Sequence, residues 1–332
     1  MVKIEYKICV VTVTYGDRWE FLRQVLKRVL GWEQVSQVIV VDNASVYSVT
    51  SAVSDLEDER VLVSRQEENL GSAGGYKKGL ELASQLHCDF VFLLDDDNLP
   101  DEDAAAKLVS LWAELPGKEE LRALYCLRED RVAHIKIASG QPPSRFYLTP
   151  NNFLGFDLFR IPVNQFYKLR DKLVKKTPFK RLAEIPYAPY GGLFFKKSLL
   201  KSIGYPDERF YLYVDDSEYT YRITKQGGTI WLVTDVKVND IDKSQGIGYK
   251  GGPFRSILLD CWSFRTYYHV RNMIYFNRRE AVQNKLVFKL NKHLYLTWLK
   301  VLSRANSKDK EYQSLKKAVD DGLQGSLGRR YF

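Results

Sequence analysis

Asp95-Asp96-Asp97 follows an apolar run at 90–94. Three adjacent carboxylates repel one another, at a cost that rises as water is excluded. A divalent cation removes that repulsion. Mg²⁺ or Mn²⁺ takes one or two carboxylates together with phosphate oxygens, which Asp95 and Asp97 at a strand end can offer. A solvated acidic turn opening a helix over 101–112 would use the same residues. A second acidic group, Asp215-Asp216-Ser217-Glu218, follows the aromatic run Tyr211-Leu212-Tyr213-Val214. Acidic residues suit the first turn of a helix, and a carboxylate in a partly dry site there can act as a base. Asn69-Leu70-Gly71-Ser72-Ala73-Gly74-Gly75 opens a helix with small residues, with Lys77 and Lys78 close by. That pattern suits either a phosphate drawn up to backbone N–H groups or an ordinary loop. Asp42 offers an acceptor for a base N–H, or is a plain turn aspartate. Tyr190-Gly191-Gly192-Leu193-Phe194-Phe195 reads as a close-packed strand lining the same pocket, or equally as a plain glycine-kinked strand.

The elements that would position these groups alternate. β-branched runs at 8–14, 38–41, 61–64 and 90–94 read as buried strands, and the stretches at 18–30 and 75–86 as helices. Strand–helix alternation at this spacing indicates an α/β chain with a mostly parallel, Rossmann-like sheet flanked by helices. Ligands of such sheets sit beyond the carboxyl ends of the strands. Thr14, Asp42 and the 95–97 triplet are therefore expected at one edge. The turn Thr14-Tyr15-Gly16-Asp17-Arg18 carries no G-x-G-x-x-G, and no Walker lysine motif occurs, which argues against a nicotinamide dehydrogenase or a P-loop ATPase. His87 is placed at a helix end and His134 in a strand. Neither H-E-x-x-H nor a His-Asp-Ser pattern is present, so zinc hydrolase and serine esterase chemistry lack support.

The 332 residues are 45% hydrophobic, enough for a proper core. The four cysteines, Cys9, Cys88, Cys126 and Cys261, are far apart and read as buried free thiols of a reducing cytoplasm. No apolar run is long enough to span a bilayer, and the first residues lack a signal-peptide core. Charge is divided unevenly. Residues 1–120 hold 12 Lys/Arg against 22 Asp/Glu, and residues 121–332 hold 38 against 19. In the rear region, Leu286, Leu290, Leu294 and Trp298 recur at helical spacing with lysines between. A basic aromatic helix suits an anionic membrane face, and equally a helix packed on the catalytic domain or in a homo-oligomer interface. Nucleic acid is not expected, since no recognition motif accompanies the charge. Residues 141–189 read as an insertion shaping an acceptor site.

In order and spacing these segments resemble family-2 glycosyltransferases of the GT-A fold. The likeness runs from Thr14-Tyr15 through Asp42-Asn43-Ala44-Ser45, Asn69-x-Gly71, Asp95-Asp96-Asp97 and Asp215-Asp216-x-Glu218 to Tyr267-Tyr268-x-x-Arg271-Asn272. It is similar to the galactofuranosyltransferase and rhamnosyltransferase branches that build bacterial surface polysaccharides. The resemblance implies a GT-A domain over 1–250, with a nucleotide-sugar and metal half at 1–120 and an acceptor half at 121–250. A basic helical region at 251–332 would follow.

Carried over by position, the resemblance places Thr14, Tyr15 and Asp42 on the nucleoside. Asn69, Gly71, Lys77 and Asp96 would join the donor site, and Asp95 and Asp97 would meet an Mn²⁺ or Mg²⁺ ion and the diphosphate. Asp216 becomes the catalytic base of an inverting transfer, with Asp215 and Glu218 orienting the acceptor. Such enzymes often add a metal-binding histidine where this chain has Val238-Asn239-Asp240-Ile241, which leaves Asn239 or Asp240 to replace it. The implied donor is UDP-galactofuranose, with dTDP-rhamnose as the alternative, and the implied acceptor is a glycan or lipid-linked glycan. The implied location is cytoplasmic, peripheral on the inner face of the plasma membrane. A nucleotidyltransferase would share the sheet and metal but open with a Gly-rich loop. A non-catalytic sugar-binding protein would need only one acidic group.

Overall fold

The computed structural model describes residues 6–173, 178–242, 249, 251–252 and 254–330. The chain divides into two compact units. The first takes residues 1–143, 179–211 and 215–245, and the second 144–178, 212–214 and 246–332. The residue-250 boundary expected from sequence lies outside the described residues.

The first unit is built on β1 (Ile8–Thr14), β2 (Val35–Asp42), β3 (Val61–Arg65) and β4 (Phe90–Asp95). All four run parallel, in the order β3-β2-β1-β4. β1 is buried along nearly its whole length, as its β-branched composition requires. Between them lie α1 (Trp19–Leu30), α2 (Val49–Ser54) and α3 (Gly71–Gln85). α1 turns Leu22, Val25, Leu26 and Val29 inward as one stripe. α3 lies unusually close to β1: a Cβ at Gly75 would stand 2.6 Å from Val13, and one at Gly79 would collide with Val11. The glycines of α3 thus serve close packing of helix on strand.

The unit continues through β5 (Asn98–Pro100), α4 (Ala104–Glu114), β6 (Arg122–Leu127) and α5 (Val132–Ala138). After α6 (Ile161–Leu173), which belongs to the second unit, come β7 (Leu182–Ile185), β8 (Leu193–Lys196), α7 (Leu199–Ile203), α8 (Asp215–Lys225) and β9 (Thr229–Asp240). Beyond β4 the sheet becomes mixed. β8 inserts antiparallel between β4 and β6, β6 and β9 pair in parallel, and β9 pairs antiparallel with β5 and β7. The register sets Thr14 beside Asp42 and Val13 beside Asp95, so the three strand ends share one edge.

Two sequence expectations are corrected here. His134 lies in α5, where it is buried, not in a strand. Cys261 is exposed, while Cys9, Cys88 and Cys126 are buried free thiols as expected.

The second unit holds α6, α9 (Ile257–Asp260), α10 (Phe264–Glu280), α11 (Lys285–Ala305) and α12 (Asp309–Gln324). The Tyr267-Tyr268-x-x-Arg271-Asn272 motif lies buried in α10. Arg271 donates to the Gly328 carbonyl at 2.6 Å and stacks over Tyr268. Asn272 donates to the carbonyls of Leu212 and Tyr213 at 2.9 and 2.8 Å. No described helix is long and apolar enough to cross a membrane.

Candidate active site

The triplet at the end of β4 faces three ways. Asp95 Oδ1 accepts from the Tyr76 hydroxyl at 2.6 Å. Asp96 is buried, taking Thr14 Oγ1 at 2.7 Å and Arg18 Nε at 2.8 Å. Asp97 takes Arg18 Nη2 at 2.5 Å and Asn98 Nδ2 at 2.8 Å. Arg18, at the mouth of α1, also donates to Asp242 at 2.7 Å. One guanidinium therefore ties together three carboxylates, all nearly out of water. A second, Arg128, is buried and bonds Asn98, Asp130 and Asp240.

The charge is still not balanced. Asp96 is pushed up to about 6 by burial, against the pull of Arg18 and Thr14. Asp97 is pushed up to about 7 by burial and then by the charges of Asp95, Asp96 and Asp240. Carboxyls that resist ionisation through burial and through one another's charge suit a cation.

The second acidic group opens α8. Asp215 is buried and accepts from Ser72 Oγ at 2.9 Å. Asp216 is half-buried, and its Oδ1 takes the Ser217 N–H at 2.6 Å and the Ser217 hydroxyl at 3.1 Å. Both carboxyls are pushed above the ordinary range by burial. The Asp216 charge raises Asp215 further, and the Asp95 charge adds to the rise at Asp216.

The two acidic groups meet across α3. Ser72 and Tyr76 are one turn apart on the same helix face; the first holds Asp215 and the second Asp95. The Tyr76 ring packs 4.1 Å from Tyr190, whose ring lies 6.1 Å from Tyr219 of α8. The next residue, Gly191, leaves its absent Cβ position to Asn98 Oδ1 and to Asp95 Oδ2, the latter 2.6 Å from it. Any larger residue there would push into the acid cluster.

Ahead of α8 the backbone is strained: Tyr211, Tyr213 and Val214 have φ of 64°, 63° and 65°. A β-branched residue at such a φ is a genuine outlier, and outliers cluster where a side chain must be aimed. Gly71, itself at φ 70°, gives up its Cβ space to the Tyr211 carbonyl.

Other residues singled out from sequence sit differently. Thr14 is fully buried on Asp96, so it positions a carboxylate. Tyr15 lies under the Arg18 guanidinium, 5.4 Å from it. Asp42 is buried, accepting from Ser45 N–H at 2.8 Å and from Arg65 at 2.5 Å. Asn69 closes its own turn, accepting from Gly71 N–H and Asn43. Lys77 is paired with Glu208 at 2.9 Å. Glu218 forks onto Arg222 of its own helix at 3.0 and 2.5 Å. Asn239 is exposed and pairs with Leu99, on the opposite strand face from Asp240. Asp240 is held by Arg128 at 2.9 Å.

Among the described residues no three His, Cys, Asp or Glu side chains converge as a ready set of metal ligands. Arg18 bonds Asp96, Asp97 and Asp242, and Arg128 bonds Asp240. Sequence reasoning passed over Arg18, Arg128, Asp242, Tyr76 and Asn98. The available signal was the Asp240-x-Asp242 alternation, which puts two carboxylates on one side of an extended segment.

Residues 9–117 match the family model described as Glycosyl transferase family 2. That match spans 109 of the 332 residues. Galactofuranosyltransferase GlfT1 of Mycolicibacterium smegmatis is 26% identical over 224 residues, spanning 66% of this chain and 66% of that relative. GalNAc-T7, solved with UDP, GalNAc and Mn²⁺, superposes with a TM-score of 0.53 at 16% identity, over 82% of this chain and 48% of that one. TarS 1–349 of S. aureus gives 0.51 at 13% identity, over 98% and 93%. Mannosyltransferase PcManGT of Pyrobaculum calidifontis, in complex with GDP-Man and Mn²⁺, gives 0.50 at 18%, over 97% and 76%. The glycosyltransferase chain therefore has the GT-A fold of these structures.

Proposed function

We propose that this chain transfers galactofuranose from UDP-galactofuranose to a hydroxyl of a glycan or lipid-linked glycan in bacterial surface polysaccharide assembly, inverting the anomeric carbon. One observation carries the reading: a single face of α3 holds Asp95 through Tyr76 and Asp215 through Ser72. Asp216, the proposed base, adjoins Asp215 in the chain and feels the Asp95 charge, which supports one shared centre. The donor sugar takes its support from the likeness to a galactofuranosyltransferase.

Of two adjacent buried carboxyls only one ionises readily. Asp215, deeper and facing the Asp216 charge, keeps the proton, while Asp216, aimed by Ser217, is left as the base. The acceptor oxygen attacks the anomeric carbon opposite the diphosphate as its proton passes to Asp216. The bond between sugar and diphosphate breaks, its electron pair leaving with the phosphate oxygen. A single base with no enzyme nucleophile gives inversion.

Asp95 and Asp97 fit a divalent cation: two carboxylates are what Mg²⁺ takes beside phosphate oxygens, and a cation would relieve the repulsion of Asp97 by Asp95, Asp96 and Asp240. Mn²⁺ or Mg²⁺ held there would neutralise charge developing on the diphosphate.

Transfer assays with UDP-galactofuranose and dTDP-rhamnose, with and without chelator, test the reading. Transfer from the UDP sugar alone, abolished by chelator and restored by Mn²⁺ or Mg²⁺, is expected. Transfer from the dTDP sugar alone would reassign the donor, and chelator-resistant transfer would remove the cation. Donor binding without transfer or hydrolysis would leave a sugar-binding protein.

A further inference from the structure

α6 is amphipathic, yet it is mounted with its apolar side outward. No residue of the helix is fully buried. Phe166, Leu169 and Leu173 recur at three- and four-residue spacing, and they are 61%, 59% and 75% exposed. Phe159, Ile161 and Val163, before and at the start of the helix, are exposed as well. The inward side is instead polar and pinned. Arg145 donates to both oxygens of Asp171 at 2.9 Å, and its guanidinium sits 4.4 Å from the Tyr167 ring centre. Arg170 stacks on the same ring at 4.9 Å. A surface helix normally does the reverse, burying its apolar stripe. The ion pair and ring stacking fix this orientation, so the stripe has not simply been left out by loose packing.

Charge selects what covers it. Exposed Lys168 and Lys172 lie one turn apart along a border of the stripe. The turn leading into α6 is held on α11, where Asn291 donates to Asn151 and Asp157 and accepts from Leu158 N–H. α11 in turn presents Leu286, Leu290, Trp298 and Val301 outward, among Lys285, Lys289 and Lys300. Residues 255–332 carry 16 Lys/Arg against 6 Asp/Glu. An apolar stripe rimmed by lysines is the pattern of a helix lying in the headgroup plane of an anionic bilayer.

We propose that α6 is a lipid-docking helix, seating Phe166, Leu169 and Leu173 in an anionic membrane surface with Lys168 and Lys172 at the headgroups. This goes beyond the chemistry above and does not depend on it. The expectation from sequence named only α11; α6 supplies the more exposed stripe.

The test is flotation of the full chain with phosphatidylcholine vesicles, with and without phosphatidylglycerol, alongside sedimentation without lipid. The wild type should float only with phosphatidylglycerol and lose binding in high salt. Phe166→Glu/Leu169→Glu should abolish flotation with unchanged circular dichroism and thermal unfolding, since both sites are exposed. Lys168→Gln/Lys172→Gln should weaken it by about tenfold or more. Failure of the wild type to float at low salt overturns the proposal. So does flotation that survives the α6 variant but is lost in Leu286→Glu/Val301→Glu, which would assign binding to α11 alone. A dimer dissociated by the α6 variant, with no vesicle binding, would make the stripe a contact between copies.

Discussion

At the residue scale the proposed transfer depends on which of Asp215 and Asp216 is ionised. Asp216→Asn should lower turnover by about 10² or more while leaving UDP binding intact, measured by initial rates and titration calorimetry. The base must be ionised, and burial together with the Asp95 charge raises Asp216, so kcat/KM should fall as pH drops through a limb above the ordinary carboxylate range. The Arg131 charge pulls Asp216 down, so Arg131→Gln should move that limb to higher pH in a pH–rate profile. Arg18→Gln strands Asp96, Asp97 and Asp242 together, and stability should drop by about 3–5 kcal/mol in denaturant unfolding, part of it restored by Mn²⁺. The two acidic groups were legible because adjacent carboxylates after apolar runs have few physical uses. Arg18 was not, because its partners lie 78 and 224 positions away and nothing local marks the pairing.

At the element scale the strands and their parallel order announced themselves through β-branched runs, and the helices through their stripes. The glycine-rich opening of α3 suits either a phosphate or an ordinary loop from sequence, and its glycines face Val11, Val13, Leu70 and the Tyr211 carbonyl. Small residues serve close packing and ligand approach equally, and only coordinates tell them apart. Gly79→Ala should therefore cost about 1–3 kcal/mol by forcing α3 off β1, seen in thermal or denaturant unfolding. The buried Tyr-Tyr-x-x-Arg-Asn motif has a comparable use. Asn272 holds the carbonyls of Leu212 and Tyr213, within the left-handed run that precedes Asp215 in the chain. Asn272→Ala leaves two carbonyls short of a donor and should destabilise the protein by about 1–3 kcal/mol. An outward apolar face such as that of α6 could not be read from periodicity, which gives the stripe but not the side that packs.

At the scale of the whole molecule the uneven charge maps onto different tasks: carboxylates at the strand ends, lysines on the helices of the second unit. The buried acids also give the fold a pH signature. Asp215 is raised by burial and by Asp216, so the native state binds its proton more tightly than the unfolded chain does. Stability should therefore fall as pH rises from the ordinary carboxylate value through the raised one. His134, pushed down to about 4 by burial and nearby arginines, tilts the curve the other way only below about 6.5. Above that pH the thermal midpoint should decline in the wild type and decline less steeply in Asp215→Asn, where Asp97, pushed up to about 7, still contributes. The most direct test of a single reaction centre is a crystal structure of the protein with Mn²⁺ and UDP. The diphosphate should lie on Asp95 and Asp97, with the Asp216 carboxylate across from it and room for one sugar between. Nucleotide bound away from that edge, or Asp216 facing elsewhere, would contradict the mechanism.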